Sequence, residues 1–459
     1  MNKMKNSDNN PDIKLKRKVK ITISVELFIL LFLCCSTNGI IKEKKDEIMK
    51  KLSIPKENVT LYGLILQLGR LVGTFLIIFY FKHDQDCLKT KYIIALTTFC
   101  KSFAFLIYYL DLSKIYIWVF IVSIILQGFC HSFIDIYFPI WINHFINEKY
   151  KLLLLSISIG ASPLSNIVGI ILNLICDSIQ CCSLTLFILV IIFDLVFLMS
   201  VIKKCICYCD DISPDNYFNQ KISQNENSNE INDEENEKMK SKKNCKFLFS
   251  SRNKYAFILI VLARAILKFS FVGIHYLIND YYDELEGDEK LNEYIISYIP
   301  LFGLFIGAIL SNFKWFRTQN WVVIIISLFI GIIGTLTSLL NNKYYFDFSL
   351  IFFYGLANLI LPSLIQKSFD CFEDKQLSEI SYVFNCFIYL LIGNFLSSLF
   401  NYLLEAKFLV KFYLNVVWIN FIFTLCYKIN IGKKDPLQKI IEKVNKTKGQ
   451  LLQKVEKDY

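Results

Sequence analysis

Ionisable side chains recur inside long apolar stretches of this chain, where each costs about 2.5 to 3.5 kcal/mol to insert at bilayer depth, so they are the first candidates for chemistry. Glu26 stands about a third of the way into one stretch. His131 and Asp135 lie four residues apart in another, a spacing that puts an imidazole and a carboxylate on one face of a helix as a proton-sensitive pair. Arg264 and Lys268 repeat that spacing with two cations and no acid nearby in sequence. They need a partner, which Glu26, Asp135, Asp194, water or an anionic ligand would supply. Further polar positions, Gln67, Arg70, Asn166, Asn358, Tyr382 and Asn385, extend the picture to a wet, mixed-charge interior. Each of them also suits a plain helix-to-helix hydrogen bond, which is the reading given to Asp194. His275 falls near the outer end of its stretch and carries less weight.

Several chemistries are excluded. The sequence has no G-x-S-x-G elbow, no H-E-x-x-H, no phosphate-binding glycine loop and no spaced set of metal ligands, so neither an enzyme nor an ATP-driven pump is expected, and no cofactor or metal. The fifteen cysteines are scattered, many within apolar runs, and read as small apolar packing residues and not as a disulfide framework. Cys205, Cys207 and Cys209 form a C-x-C-x-C run beside one such stretch, where lipidation is chemically sensible. A net charge of +10, gathered in the segments assigned below to the cytoplasm, suits an anionic inner leaflet and not nucleic acid.

The elements that must position these groups follow from composition. At 54% hydrophobic residues and a mean hydropathy of +0.43, the 459-residue chain carries more apolar surface than a soluble fold hides, so the bilayer is its solvent. About twelve stretches reach the ~20 residues that a spanning helix needs. They lie near 21–39, 59–81, 90–111, 115–143, 152–175, 182–203, 255–278, 292–312, 320–340, 345–366, 379–403 and 406–428, and none shows strand alternation. The expected fold is an all-α membrane protein of two pseudo-symmetric six-helix bundles, 21–203 and 255–428. An N-terminal arm (1–20), a polar disordered linker (204–254) and a basic tail (429–459) complete it. Lys14, Lys16, Arg17, Lys18 and Lys20 before the first span, and Lys428, Lys433, Lys434, Lys439 and Lys443 after the last, put both termini in the cytoplasm. The acidic loop from Asp280 to Glu289 agrees, whereas the lysine-rich segment 42–57 dissents because it falls outside.

The halves share internal features. Span two holds Gly69-x-x-x-Gly73 and span eight Gly303-x-x-x-Gly307, and each pair lets a neighbouring helix approach closely. Span four places Asp135 four residues before Pro139, and span ten places Asn358 four residues before Pro362. With these repeats, the chain resembles the major facilitator superfamily, and the segment from Gly128 to Gly169 resembles the span four to span five region of its spinster-like branch. That branch carries an arginine early in span four and a glutamate at the position of His131, where this chain has Ile124 and His131. The family's basic loop between spans two and three is reduced to KHDQDCLKTK, in which Asp86, Lys89 and Lys91 would form a gating loop.

The resemblance and the buried charges together imply a secondary active transporter working by alternating access. It would be a proton-coupled monomer carrying a small organic anion or zwitterion such as an amino acid, carboxylate or lysophospholipid-like solute, in the plasma membrane or a lysosome- or vacuole-like membrane. A facilitative uniporter and a non-transporting receptor or scaffold are the alternatives. The tail adds a local expectation: Leu437, Ile440, Ile441, Val444, Leu451, Leu452 and Val455 recur at mostly three- and four-residue spacing among lysines, the pattern of a helix lying on anionic lipid. A peptide of residues 435–459 is expected to gain helicity by circular dichroism with anionic vesicles and lose it at high salt. No gain with either neutral or anionic vesicles refutes the anchor.

Overall fold

A computed structural model describes residues 25–41 apart from 27 and 38, then 44–52, 59–80, 87–110, 116–146, 148–209, 254–283, scattered positions from 303 to 316, and 320–340, 343–372, 375–403 and 406–430. The N-terminal arm, most of the central linker, Asp86, most of span eight and the amphipathic tail lie outside these residues. Among those described there is no strand, and nine helices are long and apolar enough to cross a membrane.

Each of the nine coincides with an expected span. Span two is Val59–Tyr80, span three Cys87–Phe105 with one 3-10 turn added at Leu106–Tyr109, span four Ile117–Phe145 and span six Ile179–Cys209. In the second half, span seven is Lys254–Asp283, span nine Asn320–Leu339, span ten Lys343–Phe369 and span twelve Ala406–Asn430. Span eleven starts as Lys375–Ile388, widens into a π-helical segment at Tyr389–Leu396 and finishes as Ser397–Leu403. A shorter apolar helix, Phe28–Ile41, occupies span one, and span five is the helix Glu148–Ile175. Span six runs on into the segment read as linker, so the C-x-C-x-C run is the end of that helix.

Hydrocarbon offers hydroxyl groups no solvent, and the helices meet that constraint locally. Thr74, Thr97, Ser132, Ser156, Ser270 and Thr337 all donate to a carbonyl three or four residues back in their own helix. These six hydroxyl groups are thus satisfied within their own helices.

Packing follows the expected halves. Span four lies against spans two and three, and span three against span six; span twelve lies against spans seven and nine, and span nine against span ten. The glycine repeat has the same use in both. A β-carbon on Gly69 would collide with the Ile125 carbonyl, and one on Gly128 with the Leu66 carbonyl, so spans two and four touch backbone to backbone. In the second half a β-carbon on Gly303 would collide with the Gly355 carbonyl, which brings span eight equally close to span ten. The repeated glycines therefore serve the very helices that hold the repeated prolines, Pro139 and Pro362.

The dissenting lysines of segment 42–57 have a structural explanation. The segment contains a helix, Lys45–Leu52, docked on the turn between spans five and six. Ile48 is buried with Cys176, Ile179 and Cys182; the Lys44 ammonium donates to the Asp177 carbonyl at 3.0 Å, and the Ile179 amide donates to Glu47 at 3.1 Å. Lys51 pairs with Glu47 at 2.8 Å. These lysines answer protein groups, so they say little about which side of the bilayer holds them.

The glycine contacts predict a contrast between substitutions. Gly69→Leu forces span two away from span four and should cost about 1 to 3 kcal/mol, the usual range for overpacking. Gly355→Ala meets open space, with nothing within 4 Å of its new carbon, and should be neutral or stabilising because alanine is the better helix former. Thermal unfolding in detergent separates the two, and equal melting temperatures would refute the close approach.

Candidate functional site

Close contact between spans two and four carries Arg70 onto Asp135, and the two form a direct ion pair. Arg70 also donates to the Gln67 side-chain oxygen at 3.3 Å. On the other side of Asp135, His131 Nε2 lies 3.5 Å from the free carboxylate oxygen, one helical turn away as the spacing required. The imidazole does not end there. Its Nδ1 lies 2.7 Å from the ammonium of Lys101 in span three, which in turn donates to the Cys34 carbonyl of span one at 2.8 Å. Lys101 is 1% exposed, so its charge is wholly committed to this network. Four spans thus converge on Lys101, His131, Asp135 and Arg70. Asp135 keeps 30% of its side-chain surface open, enough for an incoming proton or ligand to reach it.

A second cluster occupies the other half. Arg264 is buried in span seven and donates to the Asn385 side-chain oxygen at 3.1 Å. Its guanidinium lies 4.0 Å from the Tyr389 ring centre and 5.6 Å from that of Tyr382, and the Lys268 ammonium lies 5.9 Å from the Tyr389 ring. Neither cation has an acid within ion-pair distance among the described residues. Sequence reasoning expected an acid or a ligand opposite them. The structure supplies aromatic faces instead, which attract a planar guanidinium through the ring quadrupole. The π-helical turn puts Tyr389 in place, and Gly393 lets span eleven approach the Lys268 stem, since a β-carbon there would lie 2.9 Å from it.

The clusters meet across the two halves. Asn394 donates to Gln67 at 3.1 Å, and the Tyr382 hydroxyl donates to the Asp135 carbonyl at 3.5 Å. Span eleven therefore touches Arg264 through Asn385 and the Arg70–Asp135 pair through Gln67.

Other candidates stand apart. Asn358 bonds the Tyr354 carbonyl of its own helix at 2.9 Å. Glu26 is half-buried at the start of the described part of span one. Asp194 accepts from Thr98 at 2.7 Å and joins span six to span three, as helix glue would. Asn166 and His275 lie on the span five and span seven helices, and Lys89 and Lys91 open the span three helix. Lys101, Tyr389 and Asn394 are the residues that sequence reasoning missed. Lys101 was open to detection, because it lies in the middle of an apolar span and meets the criterion that singled out Arg264.

Comparison with known proteins agrees with this architecture. The Major Facilitator Superfamily profile matches residues 50–397, and the chain belongs to that family. It is accordingly a multi-pass membrane transporter and not an enzyme. Its fold is similar to that of a proton:xylose symporter, XylE, at 12% identity and a TM-score of 0.65, over 92% of this chain and 97% of that one. The E. coli fucose:proton symporter FucP is similar at 10% identity and 0.60, over 88% and 98%. The human organic anion transporter MFSD10 is similar at 12% identity and 0.56, also over 88% and 98%. No curated protein sequence matches the chain. These matches place it in the superfamily without placing it in the spinster-like branch.

The Arg70–Asp135 pair predicts non-additive stability. Asp135→Asn leaves a buried guanidinium uncompensated and should cost about 3 to 5 kcal/mol. Adding Arg70→Gln removes the stranded charge, so the double variant should unfold at a higher temperature than Asp135→Asn alone. If the two losses simply add, the residues are not coupled.

Proposed function

We propose that this transporter couples proton movement to the passage of a small organic anion or zwitterion. The halves 21–203 and 255–428 would rock about the two buried clusters, with both termini in the cytoplasm. The observation that carries the reading is the 2.7 Å contact between Lys101 and His131 within reach of Asp135. Two basic nitrogens at that distance share one proton, since one must offer its lone pair to the other.

Proton and anion binding are linked through Asp135. A proton placed on its open oxygen weakens its hold on Arg70, and a freed, buried guanidinium requires another anion. The second cluster supports the anion reading independently. Arg264 and Lys268 are cations balanced by neutral rings and an amide, and Arg264 Nε and Asn385 Nδ2 are buried donors without a protein acceptor. A carboxylate suits both clusters, and a zwitterion adds an ammonium that Tyr389 or Tyr382 can face. Two structural relatives are described as proton symporters and one as an organic anion transporter, which accords with this reading.

Proteoliposomes test it. Uptake from a panel of labelled carboxylates and amino acids should rise with an imposed pH step, up to about tenfold in accumulation per pH unit if one proton moves with each substrate. His131→Ala and Lys101→Gln should retain downhill flux and lose the response. Uptake indifferent to pH in the wild type leaves a uniporter, and a response confined to cationic solutes overturns the charge argument.

A further inference from the structure

The turn between spans five and six brings two thiols together. Cys176 directly follows the span five helix and Cys181 sits in the first turn of span six, and their sulfurs lie 3.0 Å apart. The turn is fixed around them. Ser178 Oγ accepts from the Cys181 amide at 3.3 Å, and the Cys176 amide donates to the Leu172 carbonyl at 2.7 Å. Outside the turn, Lys44 holds the Asp177 carbonyl and Glu47 holds the Ile179 amide, so the docked helix Lys45–Leu52 clamps the segment between the two cysteines. Exposure divides the pair: Cys181 is exposed and Cys176 is buried. Cys182 is buried behind them, with its sulfur directed to backbone carbonyls.

We propose that Cys176 and Cys181 form a disulfide that locks this turn, made by thiol–disulfide exchange with an oxidised small-molecule or protein disulfide. The exposed Cys181 thiolate attacks one sulfur of the donor and displaces its other sulfur as a thiolate. The Cys176 thiolate then attacks the Cys181 sulfur and releases the donor's second thiolate. Two thiols are oxidised, the donor disulfide is reduced to two thiols, and the two protons go to water or to those leaving thiolates. The sulfurs need to close by only about 1 Å to reach a bond length of about 2.05 Å. The inference rests on the topology under which this turn faces the non-cytoplasmic side, where such donors persist. It does not depend on the proton or anion reading.

The full-length protein in its native membrane provides the test, with free thiols trapped by N-ethylmaleimide before lysis and peptides analysed without reduction. The expected result is a linked Cys176–Cys181 peptide in the wild type and in Cys182→Ser, absent from Cys181→Ser. Oxidised glutathione should restore the link after mild reduction. Reduction should lower the melting temperature of the wild type and leave that of Cys181→Ser unchanged. Maleimide adducts on both Cys176 and Cys181 overturn the proposal. A membrane-impermeant maleimide applied to sealed vesicles of known orientation identifies the cause. Labelling of unreduced Cys181 from the non-cytoplasmic side refutes the disulfide and keeps the topology, whereas labelling only from the cytoplasmic side refutes both.

Discussion

A charged group inside this protein has no water to return to, so its position is tolerable only where another group meets it, and the Arg70–Asp135 ion pair is where that requirement organises most of the first half. The pair needs spans two and four within side-chain reach at mid-membrane. Glycines supply the reach: Gly69 against Ile125 and Gly128 against Leu66 let the backbones touch within about two turns of the charges. Bulk at either glycine would push apart the two helices whose contact brings the ions together. The ion pair and the small residues thus enforce each other. His131 inherits its partner from the same arrangement, and Lys101, otherwise isolated in span three, reaches the network through His131 and the Cys34 carbonyl.

The second half repeats the scaffold and changes the chemistry. Gly303 approaches Gly355 as Gly69 approaches Ile125, and Pro362 stands in span ten as Pro139 does in span four. Yet Asn358, four residues before that proline, turns back on its own helix where Asp135 reaches across to Arg70. With no carboxylate at that position, the cations of span seven rest against Tyr389 and Tyr382. Ring faces attract a guanidinium without neutralising it, so the positive charge remains available to a ligand.

Much of this was legible in the sequence, and the reason is the length of the apolar runs. A span needs about twenty apolar residues whatever it packs against, so nine expected spans coincide with nine observed helices. The His131–Asp135 pairing was equally accessible, since both residues share a helix and four residues make a turn. Contacts between helices were not. Nothing in the run TTFCKSFAF states that Lys101 will face His131, because their sequence separation of 30 residues carries no angular information. The π-helical turn at Tyr389–Leu396 was hidden for a related reason: a local widening rotates Tyr389 and Asn394 away from the faces that a 3.6-residue period assigns them. The lysines of segment 42–57 misled the charge count because that rule assumes lysines answer lipid and water, and Lys44 and Lys51 answer Asp177 and Glu47.

The distribution of strong and weak contacts bears on how the two halves can move. Within the first half the principal link is ionic and partly buried, and a charge-assisted contact of that kind is stronger than a neutral hydrogen bond. Across the halves the polar links at span eleven are neutral: an amide pair at 3.1 Å and a hydroxyl to a carbonyl at 3.5 Å. A neutral hydrogen bond contributes about 1 kcal/mol net, little enough for thermal motion or a bound ligand to exchange it. The first half is therefore held by a stronger polar link within itself than any that ties it to the second, which suits the proposed rocking. Span eleven is the exception that makes the motion informative. Asn385 holds Arg264 in its own half while Asn394, two and a half turns further along, holds Gln67, the neighbour of Arg70. Under the proposed coupling, a change of charge on Asp135 would reach Asn394 through Arg70 and Gln67, and a ligand on Arg264 would reach Asn385. Both contacts fall on one helix, Asn385 one turn before its π-helical segment Tyr389–Leu396 and Asn394 within that segment, so the irregular stretch joins the two clusters.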